Sequence, residues 1–411
     1  MSEIYTGIDL GTDSIKIITV EKINDKFQVL ASISSPSSGI INGFIEESKP
    51  AIASIKQALK KHQDQLGVKI SKVIACIPSR DCKMDIVTST VNVIDYNEIT
   101  GTDISNVFNS AIKKIDLTKN ELVTAMPISF TIDEKTNIKD PKGMKGATLE
   151  GRIVVSTTPK DSLYRILEVL KLSGLETVDI AFNSVGDYYS IKSRKYDELV
   201  GAIINIGELS TNISVFNKGI QIKNSIVPVG SSNVDKDISY VFKSNLKDSR
   251  EIKENFSMAI STYADSNDTW EFKIDNNTKK EINQLGVSKV VEARIREILK
   301  LAKNEIKNLT NREIRYIIIT GGLTELAGFQ QLAEQEFGFV AKVCNIKTIG
   351  ARHNKYSSVY GITKYFDDKL SLRGKKYMML ENDDIKKMTM IDSNISSENM
   401  ISKVFGHFFD N

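Results

Sequence analysis

"IINIGELSTNISVF", residues 203–216, repeats a pattern already present in "TGIDLGTDSIKIITV", residues 6–20. Each reads as an apolar strand, a tight turn at a glycine and a second apolar strand. Each places a polar residue, one apolar residue and then glycine at the end of its first strand. The polar residue is Asp9 in one copy and Asn205 in the other. The second copy follows its glycine with Glu208 and Leu209.

The flanking sequence repeats as well. "IYTGIDLG", "SIKIITVEK" and "FQVLASIS" are three apolar runs separated by turns at 11–13 and 24–26. "LVGAIINIG", "STNISVFNKG" and "IQIKNSIVPVG" are three more, with glycine or Asn-Lys-Gly turns. After the first set, Ile52, Ile55, Leu59 and Leu66 mark one face of a helix near 48–65, and "KVIACIP" reads as a buried strand. After the second, helical segments fall at 231–258. A long amphipathic helix at 287–309 carries Val291, Ile295, Ile298, Ala302 and Ile306, and "YIIITGG" gives a buried strand. The chain thus reads as two α/β halves that begin alike, an internal repeat of about 200 residues. Residues 81–158 are strand-rich and polar, with a short helix near 103–114, and read as an insertion in the first half. A helix at 159–173 and the strand "TVDIAF" then resume that half.

Composition narrows the function classes. The chain is 41% hydrophobic and 26% charged, as soluble globular chains are. The net charge of +3 comes without a concentrated basic patch, which argues against a nucleic-acid partner. Cys76, Cys82 and Cys344 are scattered, giving neither a disulfide framework nor a zinc spacing, so a reducing cytoplasm is expected. His62, His353 and His407 lie far apart and lend no support to a histidine-based triad. A strand begins almost at the N-terminus, so no signal peptide is expected. No apolar run approaches the roughly 18 residues that a spanning helix needs.

Three stretches carry chemistry. In "GIDLGTDSIK", Gly11 and Thr12 offer backbone amides to a phosphate chain, and Thr12 adds a hydroxyl. Lys16 can place a cation there, and Asp9 can hold Mg²⁺ through its water shell. Alone, this is also what a plain hairpin looks like. Gly207 heads the second hairpin, so a pair of such turns can grip phosphates from both sides. "TGGLTELAGF" ends a strand at Gly321 and Gly322 and lets the backbone pass close to a ring or phosphate.

These motifs resemble the actin-like ATPases and, within them, the FtsA family of bacterial division proteins. "IDLGTDSIK" is similar to the family's first phosphate motif, "INIGELSTN" to its second and "ITGGLTELAG" to its adenosine motif. The insertion, "AMPISFTIDEKTNIKDPKGMKGATLEGRIVVSTTP", resembles the FtsA-type subdomain, and "VPVGSSNVDKDISYVF" and "EARIREIL" also fit. The resemblance implies an actin-like α/β fold of two similar halves with an ATP cleft between them. Its expected parts are a first core at 1–80 and 159–198, an inserted subdomain at 81–158 and a second core at 199–229 and 312–366. A second-half subdomain at 230–311, a flexible linker at 367–394 and a C-terminal amphipathic helix at 395–411 complete it. It implies ATP and Mg²⁺ as cofactors. Asp9, Gly11, Thr12 and Lys16 would meet phosphates and metal from one side, and Asn205, Gly207 and Glu208 from the other. Gly321, Gly322 and Leu323 would line the adenosine. Glu292 and Arg296, one turn apart on one helix face, either reach the ribose and adenine or form a surface pair.

The departures bear on turnover. Asn205 stands where many members carry aspartate, and an amide cannot act as a base. Glu208 and Leu209 replace two glycines and limit positive φ. Glu208 returns a carboxylate that could orient a water. Nucleotide binding with slow or negligible hydrolysis is expected.

The last residues carry Met400, Ile401, Val404, Phe405, Phe408 and Phe409 on one helical stripe, behind a polar stretch. A membrane surface and a protein groove are the two partners such a helix suits, and the family uses it on the membrane. Its charge is weak, with Lys403 the one Lys or Arg among the last eleven residues and Lys386 and Lys387 upstream. The leading expectation is a polymerising adaptor at the cytoplasmic face of the membrane at the division site. It would bind itself, other division proteins through the insertion, and FtsZ, whose C-terminal peptide would dock on 230–311. A PilM-like adaptor of a pilus or secretion machine is the alternative. A small-molecule kinase of the same fold is the third reading, and Asn205 argues against it.

Overall fold

The computed structural model describes residues 3–273, 279–372 and 376–380. The first half opens with an antiparallel meander, β1 (Glu3–Leu10), β2 (Ser14–Ile23) and β3 (Lys26–Pro36). A small hairpin follows, β4 (Ile40–Ile41) and β5 (Phe44–Ile45), then α1 (Ser48–Leu66) and β6 (Lys72–Ile77). The insertion comprises β7 (Lys83–Asn92), α2 (Gly101–Ile112), β8 (Asn120–Ile132), β9 (Lys135–Ile138) and β10 (Thr148–Pro159). The chain returns through α3 (Lys160–Leu172), β11 (Glu176–Phe182) and α4 (Asn183–Ile191).

The second half repeats the meander as β12 (Val200–Ile206), β13 (Thr211–Asn217) and β14 (Ile220–Val227). Next come α5 (Ser231–Phe242), α6 (Leu246–Phe256), the hairpin β15 (Thr269–Lys273) and β16 (Lys279–Asn283), and α7 (Gln284–Leu309). It ends with β17 (Tyr316–Thr320), α8 (Phe329–Phe337), β18 (Ala341–Val343) and α9 (Ser357–Leu372).

The two main sheets have one topology. The first runs β3-β2-β1-β6-β11 and the second β14-β13-β12-β17-β18, each an antiparallel meander extended by two parallel strands. The matching strands explain why β1 and β12 read as near-continuous apolar runs: both are central and covered on both faces. α1 and α3 cover the outer face of the first sheet around Ile8, Ile17 and Ile55. α5, α6, α7 and α8 cover the outer face of the second around Ile204, Ile295 and Leu332. A third core lies between the sheets and draws Tyr5, Ile74, Ile203 and Ile318 onto Tyr188 of α4 and Val359 and Ile362 of α9.

α4 and α9 are therefore the connection between the halves, and they meet at glycines. A Cβ on Gly361 would lie 1.7 Å from the Gly186 carbonyl oxygen, and one on Gly186 would lie 2.2 Å from that of Ser358. The insertion is a separate four-stranded sheet, β7-β10-β8-β9, with its own core against α2 around Val107 and Phe130.

The segment expected as linker starts as packed structure. α9 continues past 366 to Leu372, and Met379 and Leu380 are buried. The charges that suggested solvation are paired instead. Lys22 and the Tyr5 hydroxyl donate to Asp367, and Lys369 donates to Asp179 at 2.8 Å. The stripe from Met400 to Phe409 lies outside the described residues. Among the described residues no helix is long and apolar enough to cross a membrane.

Candidate functional site

The ends of β1 and β12 face each other across a cavity of about 550 Å³. Asp9, Gly11, Thr12 and Lys16 line it from the first half, and Asn205, Gly207 and Glu208 from the second. Gly321, Gly322 and Leu323 close one end. Three motifs separated by hundreds of residues thus converge because two copies of one sheet present the same strand ends.

The register shows what differs between the copies. Asp9 pairs across the ladder with Lys16, whose ammonium lies 3.4 Å from it. The equivalent pair in the second copy is Asn205 with Asn212. A charged pair in one jaw is an amide pair in the other. Asn205 turns its amide onto a carboxylate from elsewhere: its Nδ2 donates to Asp187 of α4 at 2.7 Å and faces Ser358 Oγ at 3.4 Å. Asp187 also accepts from Ser357 Oγ at 2.6 Å and Ser358 Oγ at 2.7 Å, both on α9. One buried carboxylate ties both connecting helices to the end of β12.

Burial pushes the Asp187 carboxyl up to about 6, against the pull of its three donors and with help from the nearby Asp9 charge. A native-state value above the ordinary 3.8 means the folded protein holds this proton more tightly than the unfolded chain. The group's contribution to stability therefore falls as pH rises from about 4 to about 6, and is flat above. Asp187→Asn should remove that slope. Urea unfolding at pH 4.5, 5.5 and 7 should show the stability difference, variant minus native, growing with pH by about 2 kcal/mol across that range. Parallel curves would mean that Asp187 does not titrate in this window.

The rest of the floor is neutral. The Ser79 hydroxyl donates to Asn183 Oδ1 at 2.6 Å, and Asn224 Nδ2 donates to the Ser79 carbonyl at 3.1 Å. The rim carries contacts between the halves. Asn42, at φ 52 in the β4–β5 turn, donates its backbone N–H to Thr12 Oγ1 and accepts from Ser210 Oγ at 3.0 Å. Arg250 of α6 donates to Asp13 in the first turn and to Glu208 in the second.

Glu208 is consequently engaged at both oxygens, by Arg250 and by Ser231 Oγ at 3.0 Å. Glu292 and Arg296 do not line the cavity. Arg296 donates to Glu292, Gln335 and Glu336, and Glu292 accepts from the Ser261 backbone N–H. The pair braces α7 against α8. Its neighbours Val291 and Ile295 are the buried face, and one residue further round the helix points along α8 instead of into the cleft. The cavity is lined instead by Lys253, Glu254 and Asn255 of α6, which sequence reasoning missed. Their helix shows an apolar face at Ile252 and Phe256, but the sequence does not separate a cleft-facing lysine from a solvated one on its polar side.

The cavity suits a nucleoside polyphosphate. A Cβ on Gly322 would meet nothing within 4 Å, so the backbone opens directly onto the space. Lys16, Arg250, Lys253 and Lys355 supply cations around it. Asp9 supplies the oxygen donor that a hydrated Mg²⁺ takes.

Comparison with known proteins bears on the family and the fold. The family model "Cell division protein FtsA" matches residues 202–361, and "SHS2 domain inserted in FTSA" matches 81–157. The cell division protein FtsA of Streptococcus pneumoniae is 26% identical over 88% of this chain and 79% of its own length. FtsA of Bacillus subtilis is 25% identical over 91% and 86%, and that of Pseudomonas aeruginosa 23% over 91% and 93%. Among solved structures, a PilM-PilN type IV pilus biogenesis complex aligns with TM-score 0.59 at 13% identity, over 91% of this chain and 99% of that one. MreB5 of Spiroplasma citri bound to ADP aligns with TM-score 0.55 at 11% identity, over 90% and 98%. Those structures share the actin-like fold, and the matches in sequence go further: the chain belongs to the FtsA family of cell-division proteins.

Proposed function

We propose that this protein is an ATP-binding, polymerising division adaptor that holds FtsZ filaments at the cytoplasmic face of the membrane and hydrolyses ATP slowly or not at all. The observation that carries the reading is the paired strand-end cavity, with Asp9 and Lys16 on one jaw and Gly207 and Glu208 on the other. Gly321, Gly322 and Leu323 would take the adenosine side, and Asp9 would hold Mg²⁺ through water. Slow turnover is supported by Asn205, whose neutral amide cannot act as a base and is turned onto Asp187.

FtsZ's C-terminal peptide would dock on the subdomain at 230–311. There α5 and α7 form an open groove lined by Tyr240, Val241 and Val290, with Lys289 and Arg294 at its edge. Tyr240 is 77% exposed and lies beside the exposed Val241, so the two form a contiguous apolar patch. The stripe of Met400, Ile401, Val404, Phe405, Phe408 and Phe409 would bind the membrane, strengthened by many copies in a filament.

Sedimentation with anionic vesicles tests the whole reading. With MgATP, the full chain should pellet as filaments on vesicles, and a chain ending at Asn394 should stay in the supernatant. Equal pelleting by both would remove the stripe from the account. A steady turnover far above about one per minute, approaching the ~10 s⁻¹ typical of enzymes, would refute the adaptor role.

A further inference from the structure

We propose that Arg250 is an exchangeable latch across the cleft: its guanidinium serves either the carboxylates of Asp13 and Glu208 or the terminal phosphate of a nucleoside triphosphate, and its transfer to phosphate frees Glu208. The inference rests on the nucleotide reading of the cavity given above.

Arg250 projects from α6, outside both sheets, and its three nitrogens each face a different carboxylate. Nη1 donates to Asp13 in the β1–β2 turn, Nη2 donates to Glu208 in the β12–β13 turn, and Nε lies 3.7 Å from Asp235 of α5. Asp13 lies two residues after Gly11 in the first hairpin turn and Glu208 directly after Gly207 in the second, so one side chain joins the two phosphate loops. Asp235 is buried and paired with the equally buried Lys253 at 2.8 Å, which fixes the base of the latch. The outer end differs. Asp13 and the Arg250 side chain are 44% and 35% exposed, so that end lies where solvent and ligand reach it.

The chemistry favours exchange. A planar guanidinium donates to carboxylate and phosphate in the same forked geometry. Asp13, Glu208 and Asp235 all face the one guanidinium, so it is divided among competing acceptors. A polyphosphate entering between the loops meets repulsion from Asp13 and Glu208 and attraction from Arg250. Turning the guanidinium from the carboxylates to the phosphate relieves the first and gains the second. Diphosphates lack the group that reaches this end, so the latch discriminates by phosphate count. The released Glu208 keeps only Ser231 and becomes the carboxylate that can orient a water. Nucleotide state and the link between the halves are then coupled through one side chain.

The test is equilibrium titration of the full-length protein with fluorescent ATP and ADP analogues and Mg²⁺. Arg250→Ala should weaken triphosphate binding by about 10- to 100-fold and diphosphate binding by less than about threefold. Arg250→Lys, which keeps the charge and loses the fork, should fall between. Glu208→Gln should tighten triphosphate binding by a few-fold, roughly, because it loosens the competing bridge. Retained diphosphate binding in Arg250→Ala also reports that the cleft is folded. Equal loss for both nucleotides, or no loss for either, overturns the latch. Native protein that binds neither nucleotide overturns the reading of the cavity itself, and the latch with it.

Discussion

Asn205→Asp should destabilise the protein by about 3 kcal/mol at pH 7, although it would give the second jaw the aspartate that the first jaw has. The reason is what each jaw faces. Asp9 stands opposite Lys16. Asn205 stands opposite Asn212 and donates to Asp187 at 2.7 Å. A carboxylate at 205 would put two acidic oxygens at that separation in a buried place, and they cannot both ionise. Either the pair holds a proton at a cost that grows with pH, or α4 shifts and the hydroxyls of Ser357 and Ser358 lose their acceptor. Urea unfolding should show the penalty shrinking toward pH 5, where a shared proton is cheaper. Adding Asp187→Asn should restore most of the loss, because it rebuilds one donor and one acceptor with the roles exchanged. A single variant within about 0.5 kcal/mol of native, or a double variant no better than the single, would show that the Asn205–Asp187 contact does not govern the floor.

The repeat behind this pair was legible because it is written in period and punctuation. Alternate apolar runs broken by Asn-Asp-Lys and Asn-Lys-Gly turns are strong local signals, and the structure places Asn24, Asp25 and Lys218 at positive φ in those turns. The strand ends were legible for the same reason, since glycine at a fixed offset marks where the strand stops. What the sequence hid was everything that tertiary rotation decides. Glu292 and Arg296 have the spacing of a site, but the spacing says only that they share a face. Which way that face turns is set by Val291 and Ile295 seeking the core. Asp187 lies in "NSVGDYYSI", where nothing but its position among buried neighbours marks it. Arg250 sits in a helix whose every polar residue could equally have faced water. The neutral Asn205 was read as a departure in the second motif, whereas the carboxylate it contacts arrives from a helix no motif covers.

Gly361→Ala should have the largest effect, a loss of about 3 kcal/mol or more together with loss of nucleotide binding. Its Cβ would fall 1.7 Å from the Gly186 carbonyl oxygen and 2.7 Å from the Ser190 amide nitrogen, and both are backbone atoms that no rotamer change can move. α4 and α9 must therefore separate, and they are the two chains that cross between the halves. Separation pulls Ser357 and Ser358 from Asp187, so the damage passes from a packing contact into the floor under Asn205. Gly186→Ala should act in the same way, with its Cβ 2.2 Å from the Ser358 carbonyl oxygen. Gly101→Ala is the control: it opens α2 in the insertion, and its Cβ would meet nothing within 4 Å. Thermal unfolding and nucleotide titration of the three variants should separate the crossing from general loss of stability. If Gly361→Ala melts with native protein and binds nucleotide normally, the close approach of α4 and α9 holds neither the halves together nor the floor of the cavity. If it binds nucleotide normally but melts early, the crossing is structural and the floor is held by Asp187 independently of it.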